Sequence, residues 1–86
     1  MGNTSFGYAE LAGLMRSKAG VPVDPAVLED APDTEFAQYG LDSLGLLGLV
    51  AELEHMYGVE LDGGALASRT PREFVAVVGA SLRTEG

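Results

Sequence analysis

Apolar residues recur at helical spacing in three stretches of the chain. In the first, Tyr8, Leu11, Ala12 and Met15 fall on one stripe with Leu14 beside it, and Gly20 and Pro22 stop the pattern. A helix from about Ser5 to Lys18 is predicted. The second stripe, Leu46, Leu49, Val50, Leu53 and Tyr57, belongs to a helix that starts near Ser43 with Asp42 as N-cap. Gly58, the usual residue of a left-handed C-terminal cap, ends it. The third stripe is Phe74, Val75, Val78 and Leu82, behind Thr70-Pro71-Arg72-Glu73, a capping box with proline at the first helical position. Between the last two stripes, Ala65 to Ala67 fits one short helical turn after the Gly63-Gly64 break.

From Ala19 to Asp42 no period is sustained. This stretch holds Pro22, Pro25 and Pro32, six acidic residues and scattered apolar ones. A connection of that length needs anchoring in a compact domain. Leu28 and Phe36 are the candidate anchors, and Phe36 is expected to be buried against the helices. The expected fold is therefore all-α: three main helices plus one short helical turn, a bundle with a long first loop, occupying residues 1–86 as a single domain.

The middle helix has a second face. Leu44, Leu47, Gly48, Ala51 and His55 point away from its inward stripe, so Leu44 and Leu47 are expected to be at least partly exposed. Gly45 and Gly48 together cost that helix about 2 kcal/mol relative to two alanines. Such a face is not a generic solvated surface.

Composition narrows what the chain does. Its 86 residues allow one modest core and no internal cleft of the usual enzyme kind. Thirteen acidic against five basic residues give a net charge of -8, which repels nucleic acid and anionic membrane surfaces. Ten of the acids lie between Ala19 and Ser68, where there is no Lys or Arg, so a partner docking there is expected to present a basic patch. No run approaches the ~20 apolar residues of a membrane span, and no leader pattern opens the chain, so a cytoplasmic location is expected. There is no Cys. Any thiol the protein uses must be supplied from outside.

Ser43 is the one residue whose placement suggests chemistry, although an ordinary helix-start serine fits the same position. It follows a glycine and a capping acid in Phe36-Ala-Gln-Tyr-Gly-Leu-Asp-Ser-Leu44, at a helix N-terminus whose free N–H groups and dipole favour a phosphate ester. It is not placed to be a self-contained nucleophile. The only His, His55, lies twelve residues along the same helix, roughly 18 Å away at about 1.5 Å per residue. The acids of the first loop have no metal-loop spacing, and the glycines no phosphate-loop signature.

The stretch from Phe36 to Leu61, F-A-Q-Y-G-L-D-S-L-G-L-L-G-L-V-A-E-L-E-H-M-Y-G-V-E-L, resembles the acyl carrier protein family, with its F-x-x-x-G-x-D-S-L signature and a helix ending in E-x-x-[FY]-G-[VI]-x-[IL]. The likeness extends over nearly the whole chain. The T-P-R-E opening of the last helix is most similar to the free-standing carriers of bacterial type II (aromatic) polyketide synthases, with fatty acid synthesis carriers as the near alternative.

The resemblance implies that a phosphopantetheinyl transferase uses coenzyme A and Mg²⁺ to place 4'-phosphopantetheine on Ser43, next to Asp42. The arm then carries acyl or polyketide chains as thioesters between enzymes, the chain itself being non-catalytic and monomeric. Implied partners are a ketosynthase with its chain-length factor, an acyltransferase, and ketoreductase and cyclase/aromatase enzymes. The expected partner-binding residues are Leu44, Leu47, Ala51, Glu52, Glu54 and Leu61, with Asp42, Glu52 and Glu54 as an acidic rim. Leu46, Val50, Phe74 and Val78 are expected to line an acyl-chain pocket. Gly48, His55 and Gly79 depart from residues common in the family, which bears on partner choice. The rival readings are an acidic helical interaction module with an unmodified Ser43, and a serine hydrolase, which the missing base disfavours.

Overall fold

Most ends of the long helices fall at the residues that mark them in the sequence. The computed structural model describes residues 6–61 and 63–85, and among them every regular element is helical. In order these are α1 (Tyr8–Ala19), α2 (Pro25–Asp30), a 3₁₀ turn (Phe36–Tyr39), α3 (Ser43–Tyr57), α4 (Gly64–Ala67) and α5 (Pro71–Glu85). The expected class and the three main helices are as observed, and α4 is the expected short turn.

The start of α1 differs from the expectation. Ser5 lies outside the described residues, and the helix begins at Tyr8 because Phe6 turns into the core, where it meets the ring of Phe74 edge-on at 6.0 Å. The Gly7 N–H then donates to Glu10 Oε1 at 2.9 Å, occupying one of the donors a helix start leaves over.

The stretch from Ala19 to Asp42, read as irregular, contains two short elements. In α2, Asp24 accepts from the Ala26 N–H at 3.0 Å and Pro25 takes the first turn, where its missing N–H costs nothing. Leu28 is fully buried. The 3₁₀ turn buries Phe36, whose ring meets Phe74 edge-on at 5.9 Å and 87°. Both expected anchors thus hold the connection. Edge-on pairs of this kind add about 0.5–1.5 kcal/mol beyond area burial.

Hydrogen bonds complete the fastening. The Phe36 N–H donates to the Arg69 carbonyl at 2.8 Å, and the Arg72 N–H to that of Pro32 at 3.0 Å. The Arg72 guanidinium grips the Asp33 carboxylate, Nε to Oδ1 at 2.8 Å and Nη2 to Oδ2 at 3.2 Å. This bond holds the Asp33 carboxyl below its ordinary range and raises the Arg72 guanidinium above its own.

The core gathers the inward stripes: Leu11 and Met15 from α1, Leu49 and Leu53 from α3, Phe74 and Val78 from α5. Helix α1 packs on α2, α3 and α5, and the single turn of α4 bridges α3 to α5. The capping box of α5 forms with a shift of one residue. The Glu73 N–H donates to Thr70 Oγ1 at 3.2 Å, whereas the Glu73 carboxylate accepts from the N–H of Arg69, at 2.7 Å.

Candidate functional site at the start of the third helix

The two residues before Ser43 place it. Leu41 is buried, the Asp42 carboxylate caps α3 by accepting from the Gly45 N–H at 2.9 Å, and Ser43 follows as the first helical residue, exposed to solvent. Glycine lets Leu41 pack closely here. A Cβ on Gly45 would stand 2.6 Å from Leu41 Cδ1, so the Leu41 side chain would have to shift, whereas Ala19 Cβ, at 3.6 Å, would be in ordinary contact. Before this segment, Gly40 at φ 83° makes the left-handed turn that redirects the chain out of the 3₁₀ turn and into the cap. Local geometry therefore holds the Ser43 backbone and leaves its hydroxyl without a hydrogen-bond partner among the described residues.

Ser43 opens onto a cleft of about 340 Å³. Phe36, Leu41, Leu46 and Leu66 form its apolar wall, and Glu35, Asp42, Ser68 and Arg69 add polar groups. On the other side of the serine, Leu44, Leu47 and Leu66 line a shallow apolar depression. Leu44 is 74% exposed, Leu47 48% and Leu66 45%. The exposure expected of the outward leucines is observed, and Leu47 does not tuck inward.

The other expected site residues separate into distinct environments. Ala51 and His55 lie exposed along the outward face of α3. Glu52 and Glu54, expected on an acidic rim, are half-buried and already engaged: Glu52 Oε1 is 3.5 Å from Lys18 Nζ, and Glu54 Oε2 accepts from the Leu61 N–H at 2.9 Å. Leu61 is half-buried against the core rather than presented outward. The four residues expected to line an acyl-chain pocket, Leu46, Val50, Phe74 and Val78, are all buried in the core cluster, and Leu46 alone of them also borders the cleft. Leu66 and Arg69 were missed because neither belongs to a periodic stripe. The cue for Leu66 was that a four-residue helix buries one side chain, and Ala65 is that one.

The arrangement presents an exposed serine hydroxyl at a helix N-terminus, where an attached group would meet both solvent and the cleft wall. His55 lies a helix length from Ser43, and among the described residues no group of His, Cys, Asp or Glu is placed to hold a metal ion. No described helix is long and apolar enough to cross a membrane.

Comparison with known proteins bears on the same segment. Residues 9–78 match the family model described as "Phosphopantetheine attachment site". The chain is 51% identical over 75 residues to a probable acyl carrier protein of Streptomyces coelicolor, covering 87% of this chain and 83% of the relative. It is 49% identical over 79 residues to the curamycin polyketide synthase acyl carrier protein of Streptomyces cyaneus, covering 92% and 90%. The solution structure of oxytetracycline acyl carrier protein superposes with a TM-score of 0.77 at 34% identity, over 98% of this chain and 90% of the other.

Proposed function

The chain belongs to the phosphopantetheine-attachment family of acyl carrier proteins, and from that premise we propose that Ser43 is the residue that carries the arm. As a member of the type II polyketide group of carriers, the protein holds acyl chains on 4'-phosphopantetheine, whose thiol supplies the thioester chemistry that a chain without Cys lacks. The observation that carries the assignment is the exposed, unpartnered Ser43 hydroxyl at the N-terminus of α3, beside a cleft with an apolar wall. Asp42 fixes the helix start, and the Ser43 and Leu44 N–H groups stand at the positive end of the helix dipole, where a phosphodiester is favoured.

The chain's residues bind and present, and the catalysis belongs to the synthase enzymes. Among these, the transferase, the ketosynthase with its chain-length factor, the acyltransferase, and the ketoreductase and cyclase/aromatase are the proposed partners. Leu44, Leu47 and Leu66 offer them an apolar contact beside the modified serine, and the net charge of -8 steers a basic surface towards it. Because Glu52 and Glu54 hold Lys18 and the Leu61 amide, reversing their charge would disturb the fold as well as any encounter.

Incubation with coenzyme A, Mg²⁺ and a broad-range transferase tests the assignment. The protein is expected to gain about 340 Da, the size of the arm as a covalent modification, and Ser43→Ala to gain nothing. The same gain in the variant would move the attachment elsewhere, and no gain in the wild type would leave the acidic interaction module as the better reading.

A further inference from the structure

Arg69 lines the Ser43 cleft, yet its side chain has no evident task in the fold. Its backbone is fastened on both sides, the N–H donating to Glu73 Oε1 at 2.7 Å and the carbonyl accepting from the Phe36 N–H at 2.8 Å. Its guanidinium, in contrast, has no hydrogen-bond or ion-pair partner among the described residues, whereas Arg72 is gripped by Asp33. Position 69 also precedes the cap of α5, at the positive end of that helix, where electrostatics disfavours a cation. A basic residue there is anchored at its Cα, free at its tip and unrewarded by its own helix.

The charges around the cleft suggest what it meets. The other charged lining residues, Glu35 and Asp42, are acidic and repel an anion, and Asp42 is committed to the Gly45 N–H. Arg69 is the single cation among the lining residues. A cleft of about 340 Å³ is on the order of a Debye length across, about 8 Å at physiological ionic strength, so charges on its rim act on one another with little screening. The planar guanidinium matches a phosphate oxygen pair, and Phe36, Leu41, Leu46 and Leu66 provide an apolar wall for the methyl-bearing part of a pantetheine chain.

Resting on the assignment of the arm to Ser43, we propose that Arg69 is a positioning residue for the modified serine. Its guanidinium supplies the counter-charge to the phosphodiester and so holds the first part of the arm along the cleft wall. Without it the acidic rim turns the arm towards solvent.

The test reads loading and positioning separately. Wild type, Arg69→Ala and Arg69→Lys are converted to the arm-bearing form, and intact mass reports loading. Failure of the wild type to load overturns the Ser43 assignment. With loading complete, nuclear magnetic resonance follows the Arg69 Nε–H signal, the ³¹P shift, and cross-relaxation between the arm and the methyl groups of Leu46 and Leu66.

The Nε–H signal of the wild type is expected to move between the unmodified and modified forms. The docked-to-free ratio is expected to fall up to about fivefold in Arg69→Ala, the upper range for an exposed ion pair, and to be partly retained in Arg69→Lys. Raising salt from about 0.05 to 0.5 M should erode docking in the wild type and leave Arg69→Ala unchanged. An unmoved Nε–H signal in the wild type, or docking there that ignores salt, overturns the positioning role while leaving the assignment of Ser43 intact. Neither measurement depends on a variant folding.

Discussion

The two faces of α3 use the same residue type to opposite ends. Leu46, Leu49 and Leu53 are buried in the core, on a helix packed against α1 and α4, and their number and spacing are what a helix needs to hold a small bundle together. Leu44 and Leu47, on the same helix, contribute little to that core and remain in water beside Ser43. The glycines divide in the same way. At Gly45 a Cβ would run into Leu41 Cδ1, whereas a Cβ on Gly48 would meet nothing within 4 Å. One face is explained by packing. The other makes sense only as a surface for something outside the chain, so in this protein an unexplained apolar residue is more informative than a satisfied one.

The largest expected effects test that division directly. Leu49→Ala and Leu53→Ala should each lower stability by about 2–5 kcal/mol in chemical denaturation, as should Phe36→Ala by about 3 kcal/mol or more, since all three empty fully packed positions. Leu44→Ala should cost less than about 0.5 kcal/mol. A loss at Leu44 matching that at Leu49 would break the comparison, and a loss at Phe36 below about 0.5 kcal/mol would mean that the first connection is held elsewhere.

The glycine pair sharpens the contrast with a smaller effect. Gly48→Ala should stabilise the fold by about 1 kcal/mol through helix propensity, while Gly45→Ala loses that gain to the contact with Leu41 and ends about 1–2 kcal/mol below it. Equal stability of the two variants would show that Leu41 moves aside freely. If Gly48→Ala also slows acyl transfer despite its greater stability, the outward face is read by a partner.

Smallest is the effect of the ion pair far from α3. The Arg72 hydrogen bond lowers the Asp33 carboxyl below its ordinary value, so the folded state binds that proton less readily than the unfolded chain. The pair's contribution is then complete above the ordinary carboxylate range and disappears as pH falls through the lowered value. Asp33→Asn should melt slightly earlier than wild type near neutral pH, with the gap closing in acid. A gap that widens on acidification would reverse the sign.

How much could be read beforehand followed from how local each cause is. Asp42 and Gly58 bound α3 and Thr70 and Pro71 open α5, because caps act within a few residues of the end they mark. The start of α1 was set instead by a distant residue, Phe74, which draws Phe6 inwards. Helix α2 spans six residues, too few to repeat a 3.6-residue period, although Asp24-Pro25 carried its cap signal. Ser43 was legible as a site because its cap, its glycine and its helix are adjacent in the chain. The engagements of Glu52 with Lys18 and of Glu54 with the Leu61 amide were not, since they depend on how α1 and the segment after α3 return to it. Charge was visible in the sequence, but its availability was not.

The fastening of the first connection to the start of α5 also sets an order of events. Asp33 and Arg72 are 39 residues apart, and the Phe36 to Arg69 and Arg72 to Pro32 bonds have similar reach, whereas the bonds within each helix span one turn. Packing α1 against α5 closes a still longer loop but is rewarded by apolar burial that these bonds alone do not supply, so refolding is expected to assemble α1, α3 and α5 first and to latch the first connection onto them afterwards. Substitutions in the latch should then speed unfolding and leave the refolding rate nearly unchanged. The wall that Phe36 contributes to the Ser43 cleft would be the last part of the molecule to be completed and the first to come undone.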